Sequence, residues 1–156
     1  MDKPLPDGCT LRPARAADEA AIRKLVRAAQ LDPTQMRWPQ FRVVECGGRV
    51  VACGQLRRFA GAQELGSLVV LPSRRGQNLG ARLVEQLIAE ASGPLYLECQ
   101  GALVPFYAGF GFREVSWRTP PGLLKLKFGV SKLLSRIFRQ RVASMKYIGA
   151  PPVEAS

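Results

Sequence analysis

A chain of 156 residues with 23 Lys and Arg against 12 Asp and Glu carries a net charge of +11. At 47% hydrophobic and 22% charged residues it reads as one globular domain, which excludes a disordered chain. The absence of histidine excludes Ser-His-Asp and Cys-His nucleophile pairs, so a general base has to be a carboxylate, a Tyr, a Cys or a water. Cys9, Cys46, Cys53 and Cys99 stand singly without Cys-x-x-Cys spacing, so no metal is expected and buried free thiols are. No apolar stretch approaches a membrane span and residues 1–6 carry no signal-like apolar core, so the expected location is the cytoplasm.

In chain order, residues 9–13 form a short strand and Asp18 to Gln30 a helix, with Ala21, Ile22, Leu25, Val26 and Ala29 on one face. Residues 31–34 break it, and Thr34 is placed to cap a brief second helix through Met36 and Trp38. Residues 41–46 and 49–56 flank Gly47-Gly48, the pattern of a hairpin with a two-residue loop. Residues 60–63 turn the chain into a fourth strand that Pro72 closes. Helical spacing resumes at Leu79, Leu83, Val84, Leu87 and Ile88. Residues 95–100 read as a fifth strand, 101–109 as a short helix and 110–117 as another strand. After Pro120-Pro121-Gly122 the chain ends in a last strand over 144–148 and a loose tail over 150–156.

The passage from the fourth strand into the following helix carries the strongest chemical signal. Arg74, Arg75, Gly76 and Gly80 surround a helix N-terminus, where unpaired N–H groups and the positive end of the dipole favour an anion such as phosphate. Neither the nucleotide P-loop nor the Gly-x-Gly-x-x-Gly dinucleotide spacing is present. The turn resembles the coenzyme A-binding motif of the GNAT N-acetyltransferase family, Arg/Gln-x-x-Gly-x-Gly/Ala, with Arg75 first, Gly80 last and Asn78 in place of the middle glycine. Asn tolerates left-handed backbone, so the turn is expected to survive. The whole order of elements is similar to that family's. The resemblance implies an α/β fold (α+β type): a mixed, splayed β-sheet flanked by helices, whose fourth and fifth strands part around the acetyl-pantetheine arm. It also implies acetyl-CoA as cosubstrate. The pyrophosphate would lie on Arg75, Gly76, Gln77, Asn78, Leu79, Gly80 and Ala81, and Leu68, Val69 and Val70 would pair with the pantetheine amides.

Acetyl transfer needs an unprotonated amine, a stabilised oxyanion and a proton for the departing thiolate. Residues 106–112 resemble the family's Phe-Tyr-x-x-x-Gly-Phe segment, which puts Tyr107 in the position of the acid. Glu64, at the start of the fourth strand, is the first candidate for the base. Period-2 alternation would place it on one face with Gly66, Leu68 and Val70. Glu98 is the reserve, either as base or as a contact for a cationic substrate group. The resemblance puts the oxyanion on the N–H of Val70 or a neighbour.

Residues 113–146 hold nine Lys and Arg against the single acid Glu114. Within them, Val130, Leu133, Leu134, Ile137 and Phe138 recur at helical spacing among Lys132, Arg136, Arg139 and Arg141, with Ser131 a candidate N-cap. This basic helical insertion, over 123–142 of a domain spanning 1–149, reads as a lid on the sheet, as a guide for an acidic substrate, or as a docking helix. The reading reached is an acetyl-CoA-dependent N-acetyltransferase acting on a small primary amine by direct attack, as a monomer or homodimer. Alternatives are a protein or peptide N-acetyltransferase and a non-catalytic acyl-CoA or polyanion-binding module. No nucleic-acid recognition motif is found.

Overall fold

Gly47 and Gly48 both adopt left-handed backbone, φ 57 and 81, which a two-residue hairpin turn demands and glycine supplies without steric cost. They join β2 (Phe41–Cys46) to β3 (Arg49–Phe59) in antiparallel register, and β1 (Cys9–Pro13) pairs antiparallel with β2. With β4 (Ala62–Val70), β5 (Leu95–Gln100), β6 (Phe112–Val115) and β7 (Val142–Tyr147) they form one sheet of order β1-β2-β3-β4-β5-β7-β6. The helices are α1 (Glu19–Ala28), α2 (Leu79–Glu90), α3 (Val104–Ala108) and α4 (Gly122–Ile137). The class is the expected one, a mixed α/β fold on an open sheet. Parallel register between β4 and β5 covers Gln63↔Leu95 and Glu64↔Tyr96, a ladder two pairs long, as expected of a sheet that splays there. The computed structural model describes residues 3–149, so the tail expected over 150–156 lies outside the described residues.

Two units divide the chain. The first holds the chain through Arg57 together with Leu65–Glu90. Here Ile22, Leu25 and Val26 of α1 bury against Phe41, Val43 and Cys53, while Leu79 and Leu83 of α2 bury against Val44, Val51 and Ala52. Gly54 on β3 makes room for α2: a Cβ there would stand 3.0 Å from Leu87 Cδ1. Arg42 of β2 pairs with Glu90 at the other end of the helix, 2.8 Å. The second helix expected after α1 does not form. The Thr34 N–H donates instead to Asp32 Oδ1 (2.8 Å), and the helical residues before β2 are a 3-10 turn, Trp38–Gln40. Pro39 has no N–H to give a longer helix and biases Trp38 away from helical backbone.

The second unit holds Arg58–Glu64 and the chain from Ala91 onward. β7 pairs antiparallel with both β5 and β6. α4 lays Leu124 and Phe128 on Ala62 and Tyr96, bordered by Phe59 and Trp117. Its start is Gly122 with Pro121 as N-cap, so Ser131 lies inside the helix and does not cap it. Nor is the apolar stripe singled out in the sequence the buried one: Val130, Leu133, Leu134, Ile137 and Phe138 are all exposed, and the buried side carries Leu124, Phe128 and Ser135. The sheet takes the side with the smaller residues toward its end. The most apolar stripe is left outside.

The cysteines also depart from expectation. Cys53 and Cys99 are buried free thiols, but Cys9 and Cys46 form a disulfide. Antiparallel register puts them directly opposite, with Cα atoms 4.1 Å apart, a proximity that a separation of 37 residues conceals. Unfolded without reductant, the chain should titrate two thiols, and after reduction four. Four in both conditions would contradict the pairing.

Before α1, Asp18 accepts from Arg12 Nη1 (2.7 Å), Arg12 Nη2 (3.0 Å) and the Arg15 N–H (2.7 Å) while buried. The Arg12 guanidinium holds its carboxyl below the ordinary 3.8, outweighing the opposing effect of burial. A folded-state pKa lowered in this way adds stability above the unfolded value and loses it as pH falls through the folded one. Asp18→Asn should therefore cost about 2 kcal/mol near neutral pH. In thermal melts its deficit against wild type should shrink as pH falls below about 4.

Candidate active site

Between β4 and α2 lies the turn that the sequence marks as a cradle for an anion. Pro72–Arg74 is a single 3-10 turn, Gly76 takes φ 81 and Asn78 takes φ 63. Gly76 is required by its φ and not by space, since nothing lies within 4 Å of where its Cβ would stand. Asn78 occupies the left-handed region that the motif's middle glycine would occupy, as expected for the residue that best tolerates it. The Arg82 N–H makes the first bond of α2, to the Asn78 carbonyl (3.0 Å), so the Leu79, Gly80 and Ala81 N–H groups belong to the opening turn, where helices leave donors for an outside acceptor. At Gly80 a Cβ would sit 3.5 Å from Val70 Cγ2, an ordinary contact, so either residue type of the motif fits there. The residues present suit a pyrophosphate held on main-chain N–H groups.

In the second unit, Glu64 is 2% exposed. Its Oε1 accepts from Lys127 Nζ of α4 at 2.5 Å. Register with Tyr96 puts Glu64 on the face of the sheet that α4 covers, and alternation along β5 puts Glu98 there too. Tyr107, 6% exposed on α3, belongs to the other face. It packs edge-on against Phe106 and Phe112 (5.0 and 6.0 Å between centroids), and Phe112 pairs with Tyr147, in phase with Met145, Leu97 and Cys99. Burial pushes its phenol pKa above the ordinary 10, so it stays protonated across the working pH range. Burial also pushes the Cys53 thiol up to about 12 and Cys99 up to about 11, which removes both as thiolate nucleophiles near neutral pH.

A family model described as an acetyltransferase (GNAT) domain matches residues 37–114, from before the hairpin through the turn and Tyr107 to β6. The chain belongs to the GNAT acetyltransferase family. Several solved structures share this GNAT fold. N-acetylglutamate synthase from Neisseria gonorrhoeae, complexed with coenzyme A and N-acetyl-glutamate, is 19% identical with a TM-score of 0.72, covering 89% of this chain and 34% of its own. This chain thus spans about a third of that synthase. Rv2747 from Mycobacterium tuberculosis, in complex with CoA and NLQ, is 21% identical with a TM-score of 0.72, covering 88% and 98%. The ribosomal-protein-S18-alanine N-acetyltransferase of Escherichia coli is 17% identical with a TM-score of 0.62, covering 95% and 98%. No curated protein matches the sequence.

Three features of this GNAT chain escaped sequence reasoning. Ser67, in mid-β4, has φ 49, the left-handed signature of a bulge. The alternation expected from Glu64 through Gly66, Leu68 and Val70 therefore does not run unbroken. The Ser67 hydroxyl accepts from Arg57 Nη2 (2.7 Å) and donates to Gln55 Oε1 (3.3 Å), a buried polar network across β3 and β4. Lys127 is the third: nothing in its spacing set it apart from the other cations of the basic segment. Among the described residues, no group of three or more His, Cys, Asp or Glu side chains converges to hold a metal, and no helix is long and apolar enough to cross a membrane.

Removing one partner of a buried ion pair strands the other charge. Lys127→Met should cost about 3 kcal/mol by chemical denaturation. Glu64→Gln should cost distinctly less, because the Lys127 ammonium, 25% exposed, can turn to water. Equal losses would mean that the pair is not the dominant contact of either group.

Proposed function

We propose that this GNAT chain transfers the acetyl group of acetyl-CoA to a small primary amine by direct attack in a ternary complex. The observation that carries the reading is the left-handed Gly76 and Asn78 turn opening onto the N-terminus of α2. Residues 75–81 would hold the pyrophosphate, and Leu68, Val69 and Val70 the pantetheine arm, with the Val70 N–H toward the developing oxyanion. When bound, the cosubstrate supplies an activated acetyl thioester. Glu64 or Glu98, on one face, takes the proton of the amine through water. Glu64 itself pairs with Lys127. Burial makes the Tyr107 phenol a weaker acid than a free phenol, so the role best supported for it is a hydrogen bond to the departing sulfur.

The N-acetyl-glutamate carried by one neighbour named above supports an amine that itself bears a carboxylate. The ribosomal-protein neighbour keeps a protein N-terminus as a second reading, although a net charge of +11 disfavours cationic targets. A cytoplasmic location, which we propose, would expose Cys9–Cys46 to a reducing pool that opens it.

Release of CoA thiol should be measured across amino acids, polyamines, arylalkylamines and peptides, with wild type beside Tyr107→Phe. Turnover should appear with carboxylate-bearing amines, and the substitution should lower kcat about tenfold or more with little change in acetyl-CoA affinity. An unchanged kcat would remove Tyr107 from the mechanism. Acetyl-CoA binding without turnover on any amine would favour a non-catalytic binding module.

A further inference from the structure

Helix α4 contains no acidic residue in its sixteen positions and is held from within by three contacts. Leu124 and Phe128 are fully buried against Ala62 and Tyr96, Trp117 lies where a Cβ on Gly129 would meet it, and Lys127 binds Glu64. Anchored this way, the helix turns its most apolar side outward. Leu123, Leu126, Val130, Leu133 and Ile137 recur at steps of three and four residues, Phe138 follows at the helix end, and all six are between 51% and 72% exposed. Isolated exposed leucines need no explanation, but a continuous apolar stripe along four turns does. Exposed cations border it: Lys125 and Arg136 on the helix and Arg139 just past its end.

We propose that this face docks the protein on an anionic membrane surface. The helix lies in the plane of the interface, with Leu126, Leu133 and Ile137 among the acyl chains and Lys125, Arg136 and Arg139 against lipid phosphates. Charge complementarity selects this occupant. A second copy packed face to face would oppose two sets of cations with no acid on the helix to pair them. A nucleic acid would meet the cations but give the leucines nothing to enter. An anionic bilayer satisfies both, since apolar side chains gain by leaving water and each cation near the surface adds its own attraction. Because the helix is already folded and anchored, docking does not carry the entropic cost of ordering a free segment.

The test is flotation of the full chain with vesicles of equal parts phosphatidylcholine and phosphatidylglycerol, beside vesicles of phosphatidylcholine alone. The protein should float with the anionic vesicles, remain behind with the neutral ones, and be released progressively by salt. Leu133→Gln with Ile137→Gln, and separately Lys125→Gln with Arg136→Gln, should each weaken partitioning about tenfold. Both pairs are exposed, so thermal melts should match wild type. As an independent readout, the emission of Leu126→Trp should shift to the blue on adding anionic vesicles. Failure to float, or flotation that the Leu133/Ile137 pair leaves unchanged, overturns the proposal. A concentration-dependent dimer without lipid, broken by that same pair, also overturns it and gives the face to a second copy.

Discussion

A carboxylate that is 2% exposed cannot be left alone, and the architecture of the second unit follows from that requirement at Glu64. Its place on β4, opposite Tyr96, puts it under α4, and Lys127 supplies the compensating charge. Lys127 directed at the carboxylate is consistent with the rotation of the helix that Leu124, Phe128 and the Trp117 contact at Gly129 also require. Leu124, Phe128 and Ser135 face the sheet, although a richer apolar stripe was available on the other side. An uncompensated charge in the interior costs several kcal/mol, comparable to burying one or two leucines, so the ion pair weighs on the orientation alongside those contacts.

β4 carries the other constraint. In the first unit its mid-strand Ser67 is held in left-handed backbone, and non-glycine residues stay there only where their surroundings over-determine them. The surroundings here are polar and buried: the guanidinium of Arg57 donates to the Ser67 hydroxyl, Gln55 accepts from it, and Gln55 in turn donates to Gln40 and to the Gln35 carbonyl. Such a network is costly if half satisfied and rigid if complete. It stands immediately before the residues proposed to meet the pantetheine arm, and strain at that point holds a strand end in one shape.

Without histidine, and with both free thiols pushed well above neutrality, the chain has few ways to handle protons. What remains are carboxylates on one face of β4 and β5, a buried phenol on the other face, and main-chain N–H groups at a helix start. In the proposed reaction the electrophile arrives already activated, so the protein would have only to position groups, remove one proton and steady one leaving sulfur.

Local chemistry was legible in the sequence. The Gly47-Gly48 hairpin, the strand at 95–100, the α2 periodicity and the Arg75–Gly80 turn all depend on residues close together in the chain, whose backbone preferences act without tertiary help. The left-handed Asn78 belongs with them. What the tertiary structure decided was everything set by residues far apart. It opposed Cys9 to Cys46 through strand register, chose Lys127 from nine similar cations because Glu64 lay beneath it, and divided Tyr107 from Glu64 by the two faces of a sheet. Hydrophobic pattern located α4 but left open which side is buried. A pattern records how apolar each stripe is, whereas burial depends on which stripe can also satisfy the charge it covers.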